Sequence, residues 1–344
     1  MTQNNVHSMI EINEMTSLVN NLNLGTLLEI TQLNNGFSAA NVFLIKTTIK
    51  KYIVKSFPLS EKMLNSSYKN AKQISQTVSV ALPLSFNGVS IYKITRYYVF
   101  FEYLENQVKS SADLTETRAY NTGQAFARIA LSAPTQKLAE KLQTFIKKQF
   151  NRFRKKRRPN WDLALATESP LQDWLKSNFH TISSLSQQSA LLAEIFFKLT
   201  EIVYTYVDVK LDNLIFQQSK PIFIDFEGSF RLSSPWLLTM MFAIDFAYDV
   251  ATKSFNVQLF KSFFEGYTDS CNLQKIDANI IIGAYINQVL NVSIYPSIFR
   301  FSNTENKQGK ENISGVLQKY RTKVELVLQN SNSIKEIFAN IQNK

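Results

Sequence analysis

Two carboxylates and an amide at fixed spacing carry the clearest chemistry in this chain. Asp208, Lys210 and Asn213 form a D-x-K-x-x-N stretch, and the apolar run Pro221-Ile-Phe-Ile then delivers Asp225 and Glu227. Asp225 follows Asn213 by twelve residues. Transfer of a phosphoryl group to an alcohol needs an oriented hydroxyl and neutralised phosphate charge. Asp208 suits the first task, accepting or orienting the hydroxyl proton. Lys210, on the same loop, suits the charge of a γ-phosphate. Asn213 and Asp225 offer the hard oxygens that Mg2+ prefers, and Glu227 is placed for a metal-bound water or a second Mg2+. Taken alone, D-x-K-x-x-N also reads as a turn between a helix at about 190–205 and a strand, since Asp and Asn form turns readily.

Other chemistries are excluded by what is scarce. With His7 and His180 the only histidines and Cys271 the only cysteine, neither a His- or Cys-based zinc site nor an internal disulfide is available. His180 lies in Ser-Asn-Phe-His-Thr-Ile with no nucleophile motif near it. The single cysteine fits a reducing compartment. The start, MTQNNVHSMIEINEM, lacks the charged lead and apolar core of a signal peptide. The longest near-apolar run, 236–244, is too short to cross a bilayer. A cytoplasmic location is expected.

The chain's 344 residues exceed a usual single core, so two domains are expected, divided at about residue 104. Residues 1–104 read as a small nucleotide-binding lobe. A helical rhythm over 9–22 (Ile12, Met15, Val19, Leu22) precedes strands at 27–33, 41–46 and 51–55. A further strand pair is expected at 85–94 and 97–104, the first broken at Asn87-Gly88, with a helix at about 60–76. In the turn Gly36-Phe-Ser38-Ala-Ala-Asn41, small residues let backbone N–H groups approach phosphate oxygens. Lys55, ending the third strand, offers an ammonium to the same phosphates. Residues 105–344 read as a larger, mostly helical lobe bearing the catalytic and metal loops.

Five stretches together resemble the aminoglycoside phosphotransferase and choline kinase group of the protein-kinase-like superfamily. They are Gly36 to Leu44; Val78 to Leu84, with Asn87-Gly88 and the hinge Tyr98 to Asn106; Gly123-Gln-Ala-Phe-Ala-Arg-Ile; Asp208 to Asn213; and Ile224-Asp-Phe-Glu with Asp245-Phe-Ala-Tyr-Asp. Phe264-Glu-Gly266-Tyr adds a weaker echo. The resemblance implies an α+β, bilobal protein-kinase-like fold: a small antiparallel-sheet N-lobe and a larger helical C-lobe. It implies ATP as the phosphate donor with Mg2+, and a small-molecule hydroxyl acceptor such as an amino alcohol, sugar or aminoglycoside. Phe101, Glu102 and Leu104 would hold adenine through backbone groups, and Lys55 would bind the α- and β-phosphates. Asp208 would be the base, with Asn213 and Asp225 as metal ligands.

The chain departs from that pattern in three places. Tyr206-Val207 stands where the group has His-Gly, and Lys210 replaces the more usual His or Gln. The acid expected to pair with the third-strand lysine is missing, because the helix at 60–76 contains only Glu61, too early to serve. A catalytically weak, nucleotide-binding pseudokinase is therefore one alternative reading.

The other alternative comes from charge. Eight basic residues and no acid lie between Lys147 and Arg158, which leaves about +3 of the net +11 for the rest of the chain. The run reads as the end of a helix stopped by Pro159, either a solvated face or a patch for an anionic substrate or membrane surface. It carries no nucleic-acid recognition motif. A lipopolysaccharide core-sugar kinase, peripheral to the inner membrane face, fits the patch. A cationic acceptor would want aromatic or acidic walls, for which Phe226, Trp236, Tyr248, Asp245 and Asp249 are candidates, with plain core packing as the alternative.

Overall fold

The structure, a computed structural model, describes residues 3–33, 40–58, 60–108, 111–132, 159–208, 210–227, 230–249 and 252–343. The expected phosphate turn with Gly36 and Ser38, and the basic run 147–158 with its helix, lie outside them. The chain folds as two compact units, Met1–Gln107 with Asp212–Phe230, and Val108–Leu211 with Arg231–Lys344. The division does not follow a single cut in the sequence, because the segment bearing Asn213, Asp225 and Glu227 goes with the first unit.

The first unit is built on a five-stranded sheet. Helix α1 (Gln3–Asn21) precedes strands β1 (Leu27–Leu33), β2 (Asn41–Thr47) and β3 (Lys51–Phe57). Helix α2 (Glu61–Ile74) and strands β4 (Tyr92–Lys93) and β5 (Tyr97–Glu102) follow. The spatial order is β1-β2-β3-β5-β4, with antiparallel neighbours throughout. Alternating side chains give the sheet two apolar faces. Tyr52 and Val54 of β3 pack with Phe43, Phe100 and the Met15 and Val19 face of α1. On the opposite face Phe57, Val99 and Phe101 pack with Leu64 of α2, and Ile53 and Tyr68 adjoin them.

Helix α1 also buries two acids that its apolar rhythm did not announce. Glu11 accepts from Asn41 Nδ2 at 2.7 Å and Ser56 Oγ at 2.7 Å, and pairs with Arg96 Nε at 3.1 Å. Glu14 accepts from the Thr95 backbone and hydroxyl and from Tyr98. Buried carboxylates need such partners, so these bonds fix α1 to the sheet.

Two expected elements need correction. Only Tyr92–Lys93 of the expected strand 85–94 joins the sheet. Asn87 (φ 52°) and Gly88 (φ 80°) turn the chain back, and a bridge between Phe86 and Val89 closes that turn. The helix expected at 190–205 ends at Leu199, and Val203–Tyr206 is a strand, as its β-branched and aromatic content favours.

The second unit is helical. Helices Glu116–Leu131 and Val257–Thr268 cross at two glycines that the sequence places in separate motifs. A Cβ on Gly123 would lie 2.0 Å from the Phe263 carbonyl oxygen, and one on Gly266 would lie 2.0 Å from that of Tyr120. No larger residue fits the contact. The apolar run at 236–244 forms helix Pro235–Ala247, capped by Ser234 and buried on nearly all sides. Among the described residues no helix is long and apolar enough to cross a membrane. The polar tail folds into helices Lys307–Gln329 and Ser331–Gln342. Inside this unit Lys323 and Asp245 form a closed ion pair, their side chains 9% and 7% exposed.

Candidate active site

The strand period puts Lys55 on the α2 face of the sheet, paired in register with Val42 on one side and Val99 on the other. Its side chain is 12% exposed. The ammonium donates to Asp225 Oδ1 at 2.9 Å and to Glu227 Oε2 at 3.2 Å and Oε1 at 3.3 Å. It also stands 5.2 Å from the centre of the Phe101 ring. The partner missing from the sequence pattern of Lys55 is thus supplied by the Asp-Phe-Glu segment itself.

The hydroxyl of Tyr68, from α2, donates to Glu227 Oε1 at 2.7 Å. Sequence reasoning missed Tyr68. The available signal was its place on the buried face of α2, four residues after Leu64 and three before Ala71.

A hairpin positions the carboxylates. Strands Leu214–Gln217 and Lys220–Phe223 pair from Leu214 with Phe223 to Gln217 with Lys220. The Ile224 N–H donates to the Asn213 carbonyl at 3.0 Å, so Asn213 and Asp225 flank the same end of the ladder. The hairpin is bonded into its unit at 79–81 and at 106–107: Phe223 N–H reaches Ser79 O, and Phe216 N–H reaches Asn106 Oδ1 at 2.9 Å. Asn213 is buried in a single 3₁₀ turn. Asp225 has φ 66°, a left-handed backbone that Asp tolerates better than most residues. Backbone held in such regions concentrates at functional sites.

Burial works against the charge of Lys55, but Glu227 and then Asp225 outweigh it and hold its pKa above the ordinary lysine value. Burial pushes Glu227 above the usual carboxylate range; Lys55 offsets this in part, and Asp225 adds to it. Burial, with Glu227 next, keeps Tyr68 a neutral hydrogen-bond donor far into alkali. The result is a lysine held cationic beside one nearly enclosed and one part-exposed carboxylate, at 4% and 30%.

The residues present fit Mg2+. Among the described residues no group of three or more His, Cys, Asp or Glu is arranged for a metal. Mg2+ is commonly held by one or two protein oxygens together with substrate phosphates and water. Asn213 and Asp225, tied to one end of a rigid hairpin, supply that kind of donor set.

The remaining expected residues are distributed as follows. Asn41 opens β2 with its side chain donated to Glu11. Phe101 is buried at the end of β5, Glu102 is exposed and 3.7 Å from Lys50, and Leu104 follows half-buried. In the second unit Asp208 and Lys210 pair at 3.1 Å, their side chains 38% and 37% exposed. Tyr206, where the resembling group has His, is fully buried. Trp236 is core, donating its indole N–H to the Gln274 carbonyl at 2.6 Å, and Asp245 is taken by Lys323. Neither is open as a wall for a cationic acceptor.

A small antiparallel-sheet unit joined to a larger helical one, with lysine and Asp-Phe-Glu together in the first, is the fold of protein-kinase-like phosphotransferases. A spectinomycin phosphotransferase solved with ADP and spectinomycin shares it at TM-score 0.60, with 12% identity over 95% of this chain and 98% of that one. A choline kinase from Streptococcus pneumoniae matches at TM-score 0.53, with 16% identity over 91% and 98%. An aminoglycoside phosphotransferase from Alicyclobacillus acidocaldarius matches at TM-score 0.50, with 12% identity over 91% and 93%. No protein-family model matches the sequence, and no curated protein matches it either.

Proposed function

We propose that this chain is an ATP-dependent kinase that transfers the γ-phosphate to a hydroxyl of a small molecule. The observation that carries the reading is the Lys55, Asp225 and Glu227 cluster, with Asn213 fixed at the same end of the hairpin as Asp225. Lys55 binds nucleotide phosphates with an ammonium kept protonated by the two acids. The backbone at Phe101, Glu102 and Leu104 receives the base. Asn213 and Asp225 hold Mg2+, which when bound neutralises phosphate charge. Asp208 orients and deprotonates the acceptor hydroxyl, and Lys210, now its ion-pair partner, turns to the transferring phosphate. An amino alcohol, a sugar or an aminoglycoside provides the acceptor hydroxyl.

The test is nucleotide-dependent stabilisation. Mg2+-ATP should raise the Tm of the wild type, and Asp225→Ala should abolish most of that shift. A wild type that Mg2+-ATP does not stabilise sinks the reading. Phosphate transfer is then measured against choline, ethanolamine, simple sugars and aminoglycosides, with Asp208→Ala expected to lose turnover while still binding nucleotide.

A further inference from the structure

We propose that Tyr68 is a positioning residue for the nucleotide: it holds Glu227, and through it Lys55, and so does from α2 the work of an absent helix carboxylate. The inference rests on the kinase reading above. Helix α2 carries one acid, Glu61, which is exposed in its first turn. The buried side of the helix is Leu64, Ser67, Ala71 and Ile74. From α2, Tyr68 reaches the acids around Lys55, its hydroxyl 2.7 Å from Glu227 Oε1. Its ring meets that of Phe101 edge-on at 6.1 Å, and the Phe101 ring also lies beside the Lys55 ammonium. The hydroxyl is therefore aimed by packing on one side and by hydrogen bonding on the other.

The chain of contacts has a chemical consequence. Lys55 is shared between two acids, and one of them, Asp225, is the candidate metal ligand. If Asp225 turns to a cation, Lys55 needs a second carboxylate to keep its place. Glu227 is that carboxylate, and the Tyr68 hydroxyl occupies one lobe of it. Lysine and tyrosine thus both hold Glu227, which points to it as the partner of Lys55 in place of the metal role its spacing implied.

Three variants test this: Tyr68→Phe, Glu227→Gln and the double variant. Binding of ADP with and without Mg2+ is measured by calorimetry, and KM for ATP and kcat are measured separately. Tyr68→Phe should weaken ADP about ten-fold and raise KM for ATP similarly, the usual scale for one hydrogen bond to a charged group, with kcat within about two-fold. The double variant should bind no worse than Glu227→Gln alone, because Tyr68 acts through Glu227. Equal nucleotide affinity of wild type and Tyr68→Phe overturns the inference, as do strictly additive losses. If Tyr68→Phe does not fold, Glu227→Gln decides alone. Weakened ADP binding without Mg2+ supports the lysine role, whereas a loss seen only with Mg2+ restores Glu227 to the metal and overturns it. A wild type that binds no nucleotide instead sinks the kinase reading itself.

Discussion

Two lysines with largely enclosed side chains, one in each unit, meet acids in opposite ways. Lys323 closes on Asp245 with both side chains nearly enclosed, and Lys319 lies 4.0 Å from the same carboxylate. Lys55 is nearly as enclosed, yet it is divided between two acids, and one of these is 30% exposed. A closed pair leaves no group for a ligand and reads as structural. A shared lysine with one partly exposed acid can give up that partner and keep the other. Burial of charge alone therefore does not mark a site; the exposed partner does.

Breaking the closed pair should have the larger effect on stability. Asp245→Ala removes the carboxylate that the buried Lys323 ammonium closes on, and should lower unfolding stability by about 3–5 kcal/mol in urea titrations. A loss under about 1 kcal/mol would place the pair among weak surface bridges and erase the contrast.

Breaking the open cluster should be gentler and depend on pH. In Lys55→Met the lost positive charge moves the already raised pKa of Glu227 further up. The folded state then holds a proton that the unfolded state has released, so stability falls as pH rises from the acidic range through that folded pKa. We expect a deficit of about 1–3 kcal/mol at pH 8 that narrows as pH falls and Glu227 takes up its proton. A deficit independent of pH would mean that Glu227 carries no uncompensated charge.

The smallest effect is spread over both units and vanishes at neutral pH. Burial raises the pKa of Tyr68 and Tyr98 in the sheet unit and of Tyr267 and Tyr285 in the helical one. Below the ordinary tyrosine value of about 10 both states are neutral; as pH climbs from there towards the raised folded pKa, the unfolded chain releases protons that the fold retains, and stability falls. Ultraviolet titration should show these four of the 14 tyrosines ionising only with loss of the circular dichroism signal. Ionisation of all of them in a still-folded protein would contradict the burial.

The sheet was legible where period two shows: the alternation of Lys51 to Lys55 predicts a strand there, and β3 runs over Lys51–Phe57. The strand expected at 85–94 failed because hydrophobic content does not register the left-handed pair Asn87-Gly88, which reverses the chain. Asp208, Asn213 and Asp225 were singled out by spacing, and Asn213 and Asp225 do meet at one end of a short hairpin. The Lys55 partners and Tyr68 were not found, because the 170-residue separation of Lys55 from Asp225 leaves no periodic trace. Glu11 and Glu14 were invisible for a related reason: acids on a helix read as solvent-facing until their distant donors are known. Gly123 and Gly266 were each noticed within a motif, but their meeting is a property of the two helices together.

The short hairpin between Asn213 and Asp225 separates what is diagnostic from what is required. Its two strands are joined through Gln218 and Ser219, with Gln218 at φ 57°. Because paired rungs set the alignment of the two ends, extra residues inserted at 218–219 would lengthen the tip and leave Asn213 opposite Ile224. Removing one residue from within either strand would slide the rungs and misalign them. The interval of twelve that flags this segment in the sequence is thus an accident of a minimal loop. Searches for distant kin of this protein should hold the rungs constant and let the count vary.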